Sequence, residues 1–243
     1  MQGPTELLPV SSSGHLMLLG SRDKAFEVFL HAGTAAALLV ALRGELRDRQ
    51  PLHHSVLTLA PAALAGFALE GPIERRLGRG VVPIAQVLGG AALLLADRSP
   101  ARRSRSDATA RDALLIGLAQ ACALVPGVSR NGATLTAARL LGFRRDAASR
   151  MSRHAALPVI AGATALKLVR LDSRRASAQY AAGAGAAFVS SLAAARLVPR
   201  IDGLRSYAPF GIYRIALGAV AHIRVAGEQK RVPPPADELE WDS

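Results

Sequence analysis

The chain has 243 residues, half of them hydrophobic and only 4% aromatic, with 30 Lys+Arg against 18 Asp+Glu and a formal charge of +12. So much Ala, Leu and Val excludes a disordered chain, and the lone Cys122 excludes a disulfide scaffold. A water-soluble nucleic-acid binder would account for the basic balance but not for charges confined between apolar stretches, so no nucleic-acid partner is expected. Lys24, Lys167 and Lys230 are the only lysines. The arginine excess therefore reads as genome composition plus charged loop ends.

The chain opens on QGPTELLPVSSSGH (2–15), which has neither the basic nor the apolar region of a cleavable signal peptide. Apolar runs follow at 26–42, 52–69, 81–96, 113–128, 155–169, 176–198 and 209–225, separated by arginine-rich stretches at 43–49, 75–79, 98–105, 144–153 and 170–175. A transmembrane helix needs about 20 mainly apolar residues, and about 17 at the least. Several runs sit near that limit. Their number and even spacing predict an all-α polytopic membrane protein, since the runs mostly lack the amphipathic faces of a soluble helical bundle. Arginine in nearly every loop leaves the orientation open. The stretch AAGAGAA (181–187) places small residues where helices pack closely in lipid. Residues 1–225 read as a single membrane-embedded domain. The tail 226–243, with Pro233, Pro234 and Pro235 and four acids among its last seven residues, reads as a disordered polar end.

An internal repeat divides that domain. Gln2 is followed after seven residues by VSSSG (10–14), and Gln120 after seven residues by VSRNG (128–132). Every matching position is offset by 118, and a proline, Pro9 or Pro126, precedes each Val-Ser. Repeat one spans about 1–97 and repeat two about 107–225. Both copies interrupt apolar surroundings with Pro, Gly and hydroxyls, which is costly in lipid unless the break lines a cavity. Paired broken segments in the two halves of a membrane protein point to a site where the repeats meet.

The first segment supplies Glu6, Ser11, Ser12, Ser13 and His15; the second supplies Arg130, flanked by Ser129, Asn131 and Thr134. Ionisable groups in apolar surroundings are expensive and are functional candidates by default. Arg130 presents a planar fork that matches phosphate oxygens, and Gly14 and Gly132 permit close approach of backbone to a ligand. Hydroxyls and backbone N–H groups at broken helix tips would cradle an anion. These parts make a phosphate site with an acid/base pair, Glu6 and His15, beside it; Glu6 could instead hold a metal ion, and Ser12 could attack phosphorus if His15 took its proton. Each has a plainer reading: Ser11 and Ser13 as helix caps, His15 as a structural histidine, Arg130 as a snorkelling interfacial residue. His31 lines the cavity or serves packing, and His53, His54 and the pair Arg153-His154 read as loop or interface residues. No CxxC, HExxH or GxxxxGK[ST] occurs, so zinc and P-loop readings lack support.

With these residues in place, the chain resembles the undecaprenyl-diphosphatase, or bacitracin-resistance, family of bacterial membrane enzymes. The family's signatures, EGxTExLPVSSxGH with Gln accepted first and PGxSRSGxT, stand here as residues 2–15 and as PGVSRNGAT (126–134). FEVFLHAGT (26–34), DALLIGLAQ (112–120), LPVIAGA (157–163) and FGIYRIALG (210–218) also match, so the resemblance covers nearly the whole chain. It implies a helical fold of inverted repeats with two re-entrant helical hairpins and a site between them, in a multi-pass protein of the bacterial cell membrane. It further implies removal of the terminal phosphate of undecaprenyl diphosphate, giving the monophosphate carrier that peptidoglycan synthesis reuses, with a divalent cation (Mg or Ca) as cofactor. By motif position Gln2 and Glu6 match the acidic pair, Ser12 the proposed nucleophile, His15 the histidine and Arg130 the phosphate-binding arginine, with Gln2, Ser11, Ser13, Gly14, Ser129, Asn131, Gly132 and Thr134 around the substrate. A homodimer is left open.

Three departures stand out. Members carry an apolar stretch ahead of the first signature, which here opens at Gln2. Asn131 replaces a serine, and Arg139 and Arg153 stand where the family is mostly apolar or small. Two other readings compete. A lipid transporter or flippase would use the same broken-helix site. A phosphatidic-acid-type phosphatase would need SRxxxxxHxxxD, but counting from Ser129-Arg130 its histidine falls on Thr136 and its aspartate on Leu140. Between serine and water as nucleophile, water with metal assistance is preferred, because a neutral serine needs His15 placed as its base.

Overall fold

The computed structural model of the chain describes residues 2–18, 23–44, 51–78, 80–170 and 177–229. These residues are almost entirely helical, with one isolated bridge between Arg103 and Phe143 as the only strand-like pairing among them. In chain order the helices are α1 (Gln2–Leu7), α2 (Ser12–Leu18), α3 (Lys24–Ala41), α4 (Leu52–Arg76), α5 (Val81–Asp97), α6 (Ala110–Ala121), α7 (Arg130–Leu140), α8 (Arg145–Arg170), α9 (Ala178–Ala195), α10 (Val198–Asp202) and α11 (Ala208–Gln229). The seven apolar runs centre on α3, α4, α5, α6, α8, α9 and α11, but the run expected at 113–128 leaves the helix at Ala121, where α6 ends. The last helix passes the expected boundary at 225 and continues to Gln229; the rest of the expected tail lies outside the described residues.

Local chemistry sets the helix starts. Asp23 accepts from the backbone N–H groups of Ala25 and Phe26 to begin α3, Thr109 and Asp112 form a capping box on α6, and Ser177 caps α9. Close helix approach rests on glycine. A Cβ at Gly33 of α3 would collide with the Ala184 carbonyl of α9, inside the small-residue stretch, and one at Gly90 of α5 would come within 2.6 Å of the Gly211 carbonyl of α11. At Gly117, α6 comes up against the Leu57 carbonyl of α4, which Pro61 leaves without its helical donor. The helices therefore pack as α3 along α9, α4 along α6 and α5 along α11, with α7 held among α5, α6 and α8.

The outer faces are apolar: Leu52 is 80% exposed, Phe67 82%, Val169 85% and Ile223 71%. Exposed apolar surface on this scale marks contact with lipid or another protein. Among the described residues one stretch, Leu52–Ile73, is long and apolar enough to cross a membrane, while Ala25–Ala41 and Val81–Asp97 are apolar but shorter. Both unexpected arginines are absorbed by the fold. Arg139 donates to the carbonyls of Asp97, Ser99 and Phe143, and Arg153 makes a two-pronged pair with Asp202 at 2.6 and 2.9 Å.

Candidate functional site

Two breaks in the helical chain define the site. Between α1 and α2 the backbone turns at Pro9–Ser11, with Ser11 at φ +68°, a left-handed conformation that costs a non-glycine residue about 1–3 kcal/mol. Between α6 and α7 it passes through a short 3-10 turn, Cys122–Leu124, and then Gly127 at φ +91°. α7 starts at Ser129, whose hydroxyl accepts from the Gly132 N–H at 3.1 Å.

The breaks meet. Arg130 Nη2 donates to Glu6 Oε1 at 2.9 Å, and the two side chains are only 12% and 11% exposed. The carboxylate's other oxygen accepts from the Ser12 hydroxyl at 3.0 Å. Arg130 Nη1 is buried and has no hydrogen-bond partner among the described residues. His31 of α3 lies within electrostatic reach of Glu6.

His15 is oriented at both nitrogens. Nδ1 lies 2.8 Å from the Ser11 carbonyl, which can only accept, so Nδ1 carries the proton. Nε2 lies 2.7 Å from the Tyr213 hydroxyl, and the two rings stack with centroids 5.7 Å apart. The positive φ of Ser11 sits at the carbonyl that holds the imidazole. The sequence allows His15 to take the proton of Ser12 as one option; in the structure Ser12 turns to Glu6, and His15 is bound on both sides elsewhere. Tyr213 itself was missed, because it lies 198 residues away in an apolar run.

The remaining expected residues divide by what they touch. Asn131 donates to the Leu7 carbonyl at the end of α1 and accepts from Ser152 of α8 at 2.7 Å. Thr134 is fully buried, bonded to Ser152 and to the carbonyls of Arg130 and Asn131. These two, with Ser129, tie the second break to its surroundings. Gly14 packs against Gln86 and Gly132 against Arg214. Gln2 and Ser13 lie on α1 and α2, but their side chains fall outside the described residues.

The molecule is thus an all-helical protein in which two broken segments bring a carboxylate, a serine and an arginine with a spare donor into one buried cluster. Comparison with known proteins gives the class a family. The family model described as "Bacitracin resistance protein BacA" matches residues 1–220. The chain is 39% identical to the protein named undecaprenyl-diphosphatase of Geobacter sulfurreducens, over 90% of this chain and 92% of that one. It is 39% identical to the one of Chromohalobacter salexigens, over 93% and 96%, and 35% identical to the one of Hahella chejuensis, over 90% and 92%. The chain belongs to the BacA family.

Proposed function

We propose that the chain hydrolyses undecaprenyl diphosphate to undecaprenyl phosphate and inorganic phosphate, working as a multi-pass protein of the bacterial cell membrane. The carrying observation is the Glu6–Arg130 contact at 2.9 Å with Arg130 Nη1 buried and unpartnered, because a buried guanidinium donor without an acceptor fits a phosphate oxygen. The relatives named above, matching nine-tenths of the chain, bear the name of that activity.

The chain's own residues divide the work. Arg130 binds the terminal phosphate through Nη1 and stabilises charge on its oxygens as the bond to the attacking oxygen forms. Glu6 takes the proton of that oxygen, and Ser12 already points its hydroxyl at the carboxylate. As the new P–O bond forms, the bond from phosphorus to the bridging oxygen breaks, and undecaprenyl phosphate leaves with the bridging electrons. His15, held by Ser11 and Tyr213, stands at the edge of the cluster as a proton store for the leaving side.

A divalent cation belongs to this reading. Among the described residues no three His, Cys, Asp or Glu side chains cluster to cage a metal, and Glu6 is the carboxylate at the site. With that donor set, Glu6 is the residue that would hold the cation, leaving most of its ligand positions to groups outside the protein, as is common for Mg²⁺. Bound there, it would neutralise charge developing on the diphosphate.

The packing supports an inverted-repeat reading of the fold. With the 118-residue offset, α2 falls on α7, α3 on α8 and α4 on α9, and α5 and α11 close the two halves. The pair α3–α9 then has its counterpart in α8–α4, while α5–α11 pairs across the dividing line. α1–α2 and α6–α7 become the two re-entrant hairpins, and their apolar surroundings are lipid.

The test is phosphate release from undecaprenyl diphosphate by purified protein in detergent, where no bilayer exists to transport across. Release carried out in ¹⁸O-labelled water, with a search for phosphoserine at Ser12, separates attack by water from attack by the serine. Absence of release would overturn the hydrolase reading and leave transport standing.

A further inference from the structure

Arg214 lies in α11, outside both signatures, and is 1% exposed. Among the described residues no carboxylate pairs with it. Its Nε donates to Gln86 Oε1 at 2.9 Å, and its Nη2 donates to the carbonyls of Gly127 at 3.3 Å and Ala85 at 3.4 Å. Gln86, on α5 and wholly buried, gives its own Nε2 to the Val10 carbonyl at 3.3 Å. Val10 belongs to the first break and Gly127 to the second. One continuous chain of hydrogen bonds therefore runs from the first signature loop through Gln86 and Arg214 to the second.

The matched glycines of the two copies fit this pair. A Cβ at Gly14 would collide with Gln86 Nε2, and a Cβ at Gly132 with Arg214 Nη1. Each copy of the motif thus seats its glycine against one member of the pair. A buried, uncompensated arginine is expensive, and here its donors are spent on the Gly127 loop carbonyl, the Ala85 carbonyl of α5 and one amide rather than on an ion pair.

We propose that Gln86 and Arg214 are positioning residues: a polar strut on the central α5–α11 pair that sets the separation of the two signature loops, and so the placement of Glu6 and Ser12 against Arg130. The proposal rests on the hydrolase reading above. Gln86 acts through Val10, one residue ahead of the strained Ser11, and Arg214 acts through Gly127, two residues ahead of the Ser129 cap.

Gln86→Glu isolates the strut from mere packing. The glutamate keeps an acceptor for Arg214 and gains an ion pair, but has no N–H for Val10 and sets a carboxylate oxygen against that carbonyl. In the full-length protein, phosphate release should fall about 10–10²-fold in kcat, the scale of a misplacement of about 1 Å, with KM for the lipid diphosphate and the thermal unfolding midpoint near wild type. Arg214→Lys, which keeps the charge and loses the fork, should fall similarly, and the double variant Gln86→Glu with Arg214→Lys should lose little more than either alone. Gly14→Ala, which leaves both strut residues in place but drives a methyl group into the Gln86 amide, should reproduce the kcat loss and carries the test if Gln86→Glu does not fold. Folded Gln86→Glu or Gly14→Ala protein with wild-type kcat overturns the strut, as does a loss that tracks only the unfolding midpoint. A wild-type protein that releases no phosphate instead overturns the hydrolase reading.

Discussion

The two broken segments share a pattern at a fixed offset, yet the fold uses their polar residues differently. In the first, Ser12 turns to Glu6, while His15 is held between Tyr213 and the carbonyl of the strained Ser11. In the second, Ser129 caps α7, Asn131 ties α7 to α1 and α8, and Thr134 is sealed beneath; Arg130 is left facing Glu6 with a spare donor. In the proposed reaction one copy carries the proton chemistry, and the other is an anchored mount for the Arg130 guanidinium. A shared motif therefore marks where the helical backbone breaks, while what each side chain does depends on the neighbours the other half supplies.

Substitutions that cut across this division should have the largest effects. Glu6→Gln removes the base and should lower turnover about 10²–10⁴-fold in a steady-state phosphate-release assay. Arg130→Lys keeps the charge but not the two-pronged geometry, and should cost about 10²–10³-fold.

Substitutions within the mount should instead act on stability. Asn131→Ala leaves the Leu7 carbonyl without its side-chain donor and Ser152 with Thr134 alone, and should destabilise the protein by about 1–3 kcal/mol, read from thermal or denaturant unfolding in detergent. Its turnover should fall far less than that of Arg130→Lys, which sharpens the contrast between adjacent residues. Ser129→Ala removes only a helix cap and should cost about 1 kcal/mol, with most turnover retained. If Ser129→Ala abolished turnover in folded protein, the second segment would have to be counted as chemical after all.

Much of this arrangement was legible in the chain. The apolar runs fall on helices, and Pro9, Gly127 and the repeat at offset 118 mark the breaks because proline, glycine and clustered hydroxyls are out of place in an apolar stretch. Glu6 and Arg130 could be paired because each is the one side chain of its segment with a fixed charge of opposite sign to the other. What the sequence could not convey depends on long-range partners. Tyr213 and Arg214 sit within an apolar run, and Gln86 within another, where one polar residue gives no sign of its contact. The polar ends of that chain of bonds are backbone carbonyls, which every residue has, so no side-chain pattern betrays them. Arg139 and Arg153 looked like intrusions and are resolved by Asp97 and Asp202 together with carbonyls that only folding brings near.

The central claim, that the first segment performs the chemistry and Arg130 of the second holds the phosphate, is tested most directly by binding without turnover. The measurement is calorimetric titration of wild-type, Glu6→Gln and Arg130→Lys proteins with a polyprenyl methylene-diphosphonate, whose P–C–P bridge cannot be hydrolysed. Titrated in buffer stripped of divalent cations, Glu6→Gln should bind as tightly as wild type or more tightly, since it loses a negative charge beside the anion, although its turnover is gone. Arg130→Lys should bind at least about tenfold more weakly, the loss of roughly 1.4 kcal/mol expected when one charge-assisted fork becomes a point charge. Full affinity in Arg130→Lys together with lost affinity in Glu6→Gln would contradict the account.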